Sequence, residues 1–130
     1  MADVYAMVLP TTSIGKVRFR FDEEGALTEV KMNVSDPVGL SGKRPAKAPT
    51  KAAVGAWLKS YLKAEDHPFP GSWRNPGSTA FSESVYRVVA EVPAGQTLSY
   101  GEVAAKAGSP KASRAVGGAM GRNPIPLVVP

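Results

Sequence analysis

The 130-residue chain has no cysteine, which excludes a disulfide, a thiolate metal ligand and a cysteine nucleophile within these residues. It has one histidine, His67, set among prolines with no second histidine nearby, so a surface-loop residue is expected there rather than a ligand or base. Long apolar runs are missing. The start, Met1 to Pro10, has neither a basic leader nor a long apolar core, and nothing approaches membrane-spanning length, so no membrane association and a cytoplasmic location are expected. Acidic residues are absent from Val103 to Pro130, where Lys106, Lys111, Arg114 and Arg122 leave four positive charges unopposed. Much of the net charge of +5 therefore sits in one segment, a footprint suited to an anionic, phosphate-bearing partner.

Among what is present, the length fits one ordinary domain or two small lobes, and twelve prolines fall mostly in connections. Val4 to Leu9 is a short apolar run. Val17, Phe19 and Phe21 alternate with Lys16, Arg18 and Arg20, the period of a strand with one buried face. Asp22 to Gly25 makes a turn, and Thr28, Val30 and Met32 alternate with Leu27, Glu29 and Lys31 in a second strand. Lys16, Arg18 and Arg20 can be read as a nucleic-acid stripe, but a solvated strand face is expected, given Glu29 and Lys31 on the partner strand. Ser35 to Pro49 is a basic loop, after which Thr50 caps an amphipathic helix carrying Val54, Trp57, Leu58, Tyr61 and Leu62. Ala64 to Ser78 is a proline-rich crossing and the expected lobe boundary, with Trp73 expected as a lobe-to-lobe packing anchor rather than a ligand platform. The pattern predicts an α/β (α+β) protein: a sheet-plus-helix lobe over 1–75 and a helical lobe over 76–130.

In the second lobe Thr79 opens a helix with the apolar stripe Phe81, Val85, Val88, Val89 and Val92. Ser99 with Glu102 forms a capping box, flanked by Leu98 and Val103 as a hydrophobic staple. Gly108 ends that helix, and Ser109-Pro110 is expected to start another that runs to about Met120. Together these are the outline of a helix-turn-helix. Ala112, Ala115, Val116 and Ala119 have core spacing, whereas Lys111, Arg114, Gly117 and Gly118 combine charge with missing side chains. Two glycines in a helix interior cost roughly 1 kcal/mol each relative to alanine, so something must compensate. Two readings stand side by side: a helix built to lie close to a polyanion, or a small-residue helix packed on a neighbour with its charges solvated.

Phe81 to Ala104, followed by Lys111 to Pro130 with its run Arg-Ala-Val-Gly-Gly-Ala-Met-Gly-Arg-Asn-Pro, resembles the DNA-binding lobe of the O6-alkylguanine-DNA alkyltransferases, or methylated-DNA–protein-cysteine methyltransferases. In layout only, the first lobe is similar to that family's ribonuclease-H-like lobe. The resemblance implies a monomer that binds double-stranded DNA through the minor groove without a cofactor or metal, associates with the nucleoid, and flips O6-alkylguanine out of the stack. By position, Arg114 resembles the arginine that fills the vacated space and Tyr100 the tyrosine that helps push the nucleotide out. Ala115, Gly117 and Gly118 are implied to line the groove, with Lys111 and Ser113 as phosphate neighbours and Arg122 as a further DNA-binding residue. Asn123 and Pro130 are implied to support the active-site loop. In the family, Val-Val-Pro leads directly into Cys-His-Arg, whose thiolate takes the alkyl group in a single turnover. The present sequence stops one residue earlier, so a fragment, a truncated product or an interrupted chain is expected, without alkyl transfer. A non-enzymatic lesion sensor and a helix-turn-helix regulatory module are the alternatives.

Overall fold

A computed structural model describes residues 3–35, 42–65, 67–75, 79–93 and 95–129, excluding the side chains of residues 3 and 4. Part of the Ser35–Pro49 loop and Pro130 lie outside the described residues. The chain divides into two units, Met1–Pro76 and Gly77–Pro130. Among the described residues the architecture is α+β, with three antiparallel strands and four helices.

In the first unit β1 (Asp3–Leu9), β2 (Val17–Asp22) and β3 (Leu27–Lys31) form a sheet in the order β1-β2-β3. The alternation in β2 buries Val17, Phe19 and Phe21 completely. In β3 the expected alternation fails at both ends. Phe21 pairs with Leu27 while Arg20 pairs with Glu29, so Thr28 is an extra, bulged residue, and Leu27 and Thr28 are both buried. The strand ends at Lys31, which leaves Met32 exposed instead of inward-facing. Arg18 pairs with Glu29 at 2.9 Å and Arg20 approaches the same carboxylate at 3.6 Å.

Helix α1 (Lys51–Leu62) is capped by Thr50, whose hydroxyl accepts from the Ala53 N–H at 3.1 Å. Its buried face is Val54, Trp57 and Leu58, while Leu62 remains exposed. The proline-rich stretch after α1 is more than a boundary. Phe69 stacks on Phe19 and meets Trp57 edge-on, and the Trp57 indole N–H donates to the His67 carbonyl at 3.1 Å. Trp73 forms a parallel bridge with Leu27, flanked by hydrogen bonds from Leu27 N–H to Ser72 and from Arg74 N–H to Leu27. Arg74 grips the fully buried Asp22 through Nε at 3.0 Å and Nη2 at 2.9 Å. Asp22 also accepts from the Glu24 and Ala26 N–H groups, so one carboxylate closes the β2–β3 turn and anchors residues 72–74. In that turn a Cβ on Gly25 would lie 2.5 Å from the Ala48 nitrogen, and its φ of +82° also favours glycine.

The second unit consists of α2 (Ala80–Ala90), α3 (Tyr100–Lys106), α4 (Ser113–Gly121) and a turn over 123–129. Thr79 caps α2. The buried face of α2 is Ser82, Val85, Tyr86 and Val89, so the stripe is rotated from the expected one and Phe81 is only half-buried. The cause is Tyr86, whose hydroxyl donates to the Ala119 carbonyl at 2.6 Å and draws its ring into the core against α4.

Candidate nucleic-acid interface

The start of α3 forms as its sequence predicts. The Glu102 N–H donates to Ser99 Oγ and the Ser99 N–H donates to the Glu102 carboxylate, both at 3.1 Å. These bonds to the Ser99 backbone and side chain, with a smaller contribution from Lys106, hold the Glu102 carboxyl below its ordinary value of 4.5. Gly108, at φ +89°, ends the helix in the left-handed conformation.

Helix α4 starts three residues later than expected. The Ala112 N–H donates to the Ser109 carbonyl at 2.9 Å, closing a tight turn across Pro110-Lys111. Ser109 therefore serves that turn, and Ala112 is the residue before the helix, with no side-chain cap. Lys111 lies in the turn and is exposed, as are Ser113 and Arg114. Of the expected core face, only Val116 and Ala119 are buried; Ala112 is half-buried and Ala115 is exposed.

Helical periodicity places Arg114, Gly117, Gly118 and Gly121 on one face of α4. Two side chains cover parts of it from outside the helix. The Tyr100 ring lies over Gly117, where a Cβ would sit 3.2 Å from Cε2, and the Arg122 guanidinium lies over Gly118, 3.1 Å from its built Cβ. Tyr100 is 54% exposed. The structure thus brings Tyr100, Arg114, Gly117, Gly118 and Arg122 to one side, with Lys111 and Ser113 at its N-terminal end and Ala115 on its flank. Among the described residues, Lys111, Arg114 and Arg122 carry no salt bridge, whereas Arg18, Arg20, Arg74 and Arg87 all do.

Asn123 has a different task. Its Nδ2 donates to the Val129 carbonyl at 2.6 Å, and its Oδ1 accepts from the Ile125 N–H at 3.0 Å. A further bond, from Val129 N–H to the Ile125 carbonyl, closes the turn that holds Leu127 at φ +74°. Such a conformation costs a branched residue about 1–3 kcal/mol, which the Asn123 bonds and the burial of Ile125 and Val129 offset. Pro130 lies outside the described residues.

Sequence reasoning missed two features. One is Tyr86, a hydroxyl inside a valine stripe. The other is an apolar depression of about 300 Å³ between Val89 of α2, Val92 just beyond it, Leu98 before α3, Tyr100 and Val103 of α3, and Val116 and Met120 of α4. Its signal was the apolar residue at i and i+4 in α4, Val116 and Met120. Among the described residues no group of three or more histidine, aspartate or glutamate side chains could hold a metal ion, and no helix is long and apolar enough to cross a membrane.

Residues 80–130 match the family profile described as the DNA binding domain of 6-O-methylguanine DNA methyltransferase. The class is therefore that of the DNA alkyltransferases. A probable methylated-DNA–protein-cysteine methyltransferase of Acanthamoeba polyphaga mimivirus is 31% identical, the alignment covering 92% of this chain and 74% of that protein. The chain belongs to the methylated-DNA–protein-cysteine methyltransferase family. The enzyme of that name from Methanosarcina acetivorans is 53% identical over 55 residues, 42% of this chain and only 35% of its own length, so the chain spans about a third of that relative. In solved structures, Mycobacterium tuberculosis OGT in complex with DNA superimposes with a TM-score of 0.71 at 29% identity, covering 96% of this chain and 74% of that one.

Proposed function

We propose that the α3–α4 face binds duplex DNA through the minor groove, with Arg114 entering the stack and Tyr100 displacing an O6-alkylguanine nucleotide, as a monomer and in the cytoplasm. The observation that carries this reading is a contrast among arginines: Arg114 and Arg122 of this face are exposed and have no carboxylate partner, whereas Arg18, Arg20, Arg74 and Arg87 are each paired with one. Exposed cations without a carboxylate partner are what attraction to a phosphate backbone requires. The α4 amides, lacking a side-chain cap, add donors at the Lys111 and Ser113 end. Membership of the alkyltransferase family supports the lesion as the target.

Alkyl transfer in the family requires a cysteine thiolate, and these 130 residues contain none. The polypeptide of this sequence is therefore expected to bind without accepting an alkyl group. The test is fluorescence anisotropy with a labelled duplex, with and without one O6-methylguanine, in competition with a minor-groove-binding dye. Displacement by the dye and tighter binding of the lesion duplex support the reading. Binding that tracks one major-groove sequence, or covalent label on the 130-residue chain after incubation with O6-benzylguanine, would sink it.

A further inference from the structure

Glycine is unfavourable in a helix interior relative to alanine, and the glycines of this chain differ in what surrounds them. At Gly55 in α1 and Gly121 at the end of α4 an added Cβ would meet nothing within 4 Å. At Gly118 it would meet the end of the Arg122 side chain, which is flexible and can move aside. At Gly117 it would meet an aromatic ring, 3.2 Å from Cε2 and 3.5 Å from Cδ2 of Tyr100. Carbon atoms rest about 3.5–4.0 Å apart, so even one methyl group presses on the ring.

The ring has little freedom to yield by moving its backbone, because Tyr100 follows Ser99 directly and the Ser99–Glu102 capping box holds that turn from both sides. It would yield by rotating. Rotation changes where the ring lies relative to the apolar depression it borders with Val103, Val116 and Met120. Among the described residues no hydrogen bond to the Tyr100 hydroxyl fixes the ring from its far end, so packing against Gly117 sets its orientation.

We propose that Gly117 is a positioning residue for Tyr100: its missing side chain is the seat that aims the phenol ring, and this is its main contribution to nucleotide extrusion, rather than contact with DNA. The proposal rests on the reading above that Tyr100 displaces the nucleotide. Three variants of the chain, Gly117→Ala, Tyr100→Ala and the double substitution, are compared on a duplex carrying O6-methylguanine beside 2-aminopurine, whose fluorescence rises when its neighbour leaves the stack. Gly117→Ala is expected to lower the fluorescence rise at saturating protein roughly five- to tenfold, the effect of a misplaced group, without lowering the melting temperature. In the Tyr100→Ala background the same substitution is expected to change it less than about 1.5-fold, because effects that act through one contact do not add. Gly55→Ala, on a helix of the other unit, is the control and leaves the signal unchanged. Equal losses from Gly117→Ala in both backgrounds assign the glycine to DNA contact and overturn the proposal, as does an unchanged signal in Gly117→Ala alone. A full signal in Tyr100→Ala overturns the functional reading and the extrusion claim with it. The seat itself is read in the free protein by nuclear Overhauser contacts between the Tyr100 ring and the Gly117 α protons: their presence supports it, and their absence overturns it independently of DNA.

Discussion

Two sets of cations, the arginines of the first unit's sheet and crossing and those of the α3–α4 face in the second, are handled in opposite ways. In the first, Arg18 and Arg20 share Glu29, and Arg74 holds a fully buried Asp22 that also satisfies two backbone N–H groups. Those cations are committed to the fold. In the second unit, beyond Glu102, there is no carboxylate to commit to. Its fixed polar contacts there are neutral ones, Tyr86 to Ala119 and Asn123 to the 125–129 turn. Lys111, Arg114 and Arg122 are left exposed, with the Arg122 guanidinium lying over Gly118. An arginine count does not separate these cases, because both units are basic; the difference lies in whether each guanidinium already has a partner.

The largest expected effect comes from the committed side. Asp22→Ala strips the acceptor from two N–H groups and leaves Arg74 without its partner, and should lower unfolding free energy by about 3 kcal/mol in urea titration. A loss under 1 kcal/mol would show that the Asp22 contacts are incidental. On the other side, Arg114→Ala should weaken duplex binding about tenfold and reduce the salt slope by about 1, whereas Arg18→Ala should leave binding unchanged. Equal losses from both would erase the distinction between paired and unpaired arginines. Tyr86→Phe leaves the ring in place and removes one neutral hydrogen bond, so a cost of about 1 kcal/mol by thermal or chemical unfolding is expected. The smallest effect concerns Glu102. Since its carboxyl is held below 4.5 in the folded state, its contribution to the α3 start is complete above that value and is lost as pH falls through the lowered one. A carboxyl-carbon NMR titration should place its midpoint below 4.5; a midpoint at or above it contradicts the capping box.

Much of this was legible from local pattern. Strand β2 follows its strict alternation, and the Thr50, Thr79 and Ser99 caps are where the hydroxyls predicted them. What local pattern missed came from tertiary contacts. The bulge at Thr28 belongs to pairing between strands, and the rotation of α2 is imposed by a hydroxyl reaching a carbonyl 33 residues away. The start of α4 was misplaced because Ser-Pro serves equally as a helix cap and as the opening of a tight turn. At the candidate interface the residue types were visible in the sequence. That Gly117 faces Tyr100 was not, since no periodicity links residues on different helices.

The account turns on unpaired cations being available to phosphate. The most direct measurement is the affinity of the chain for an unmodified duplex across a series of salt concentrations. If Lys111, Arg114 and Arg122 each release a counterion, the logarithm of affinity falls linearly with the logarithm of salt, with a slope of about −3. An affinity independent of salt would contradict it.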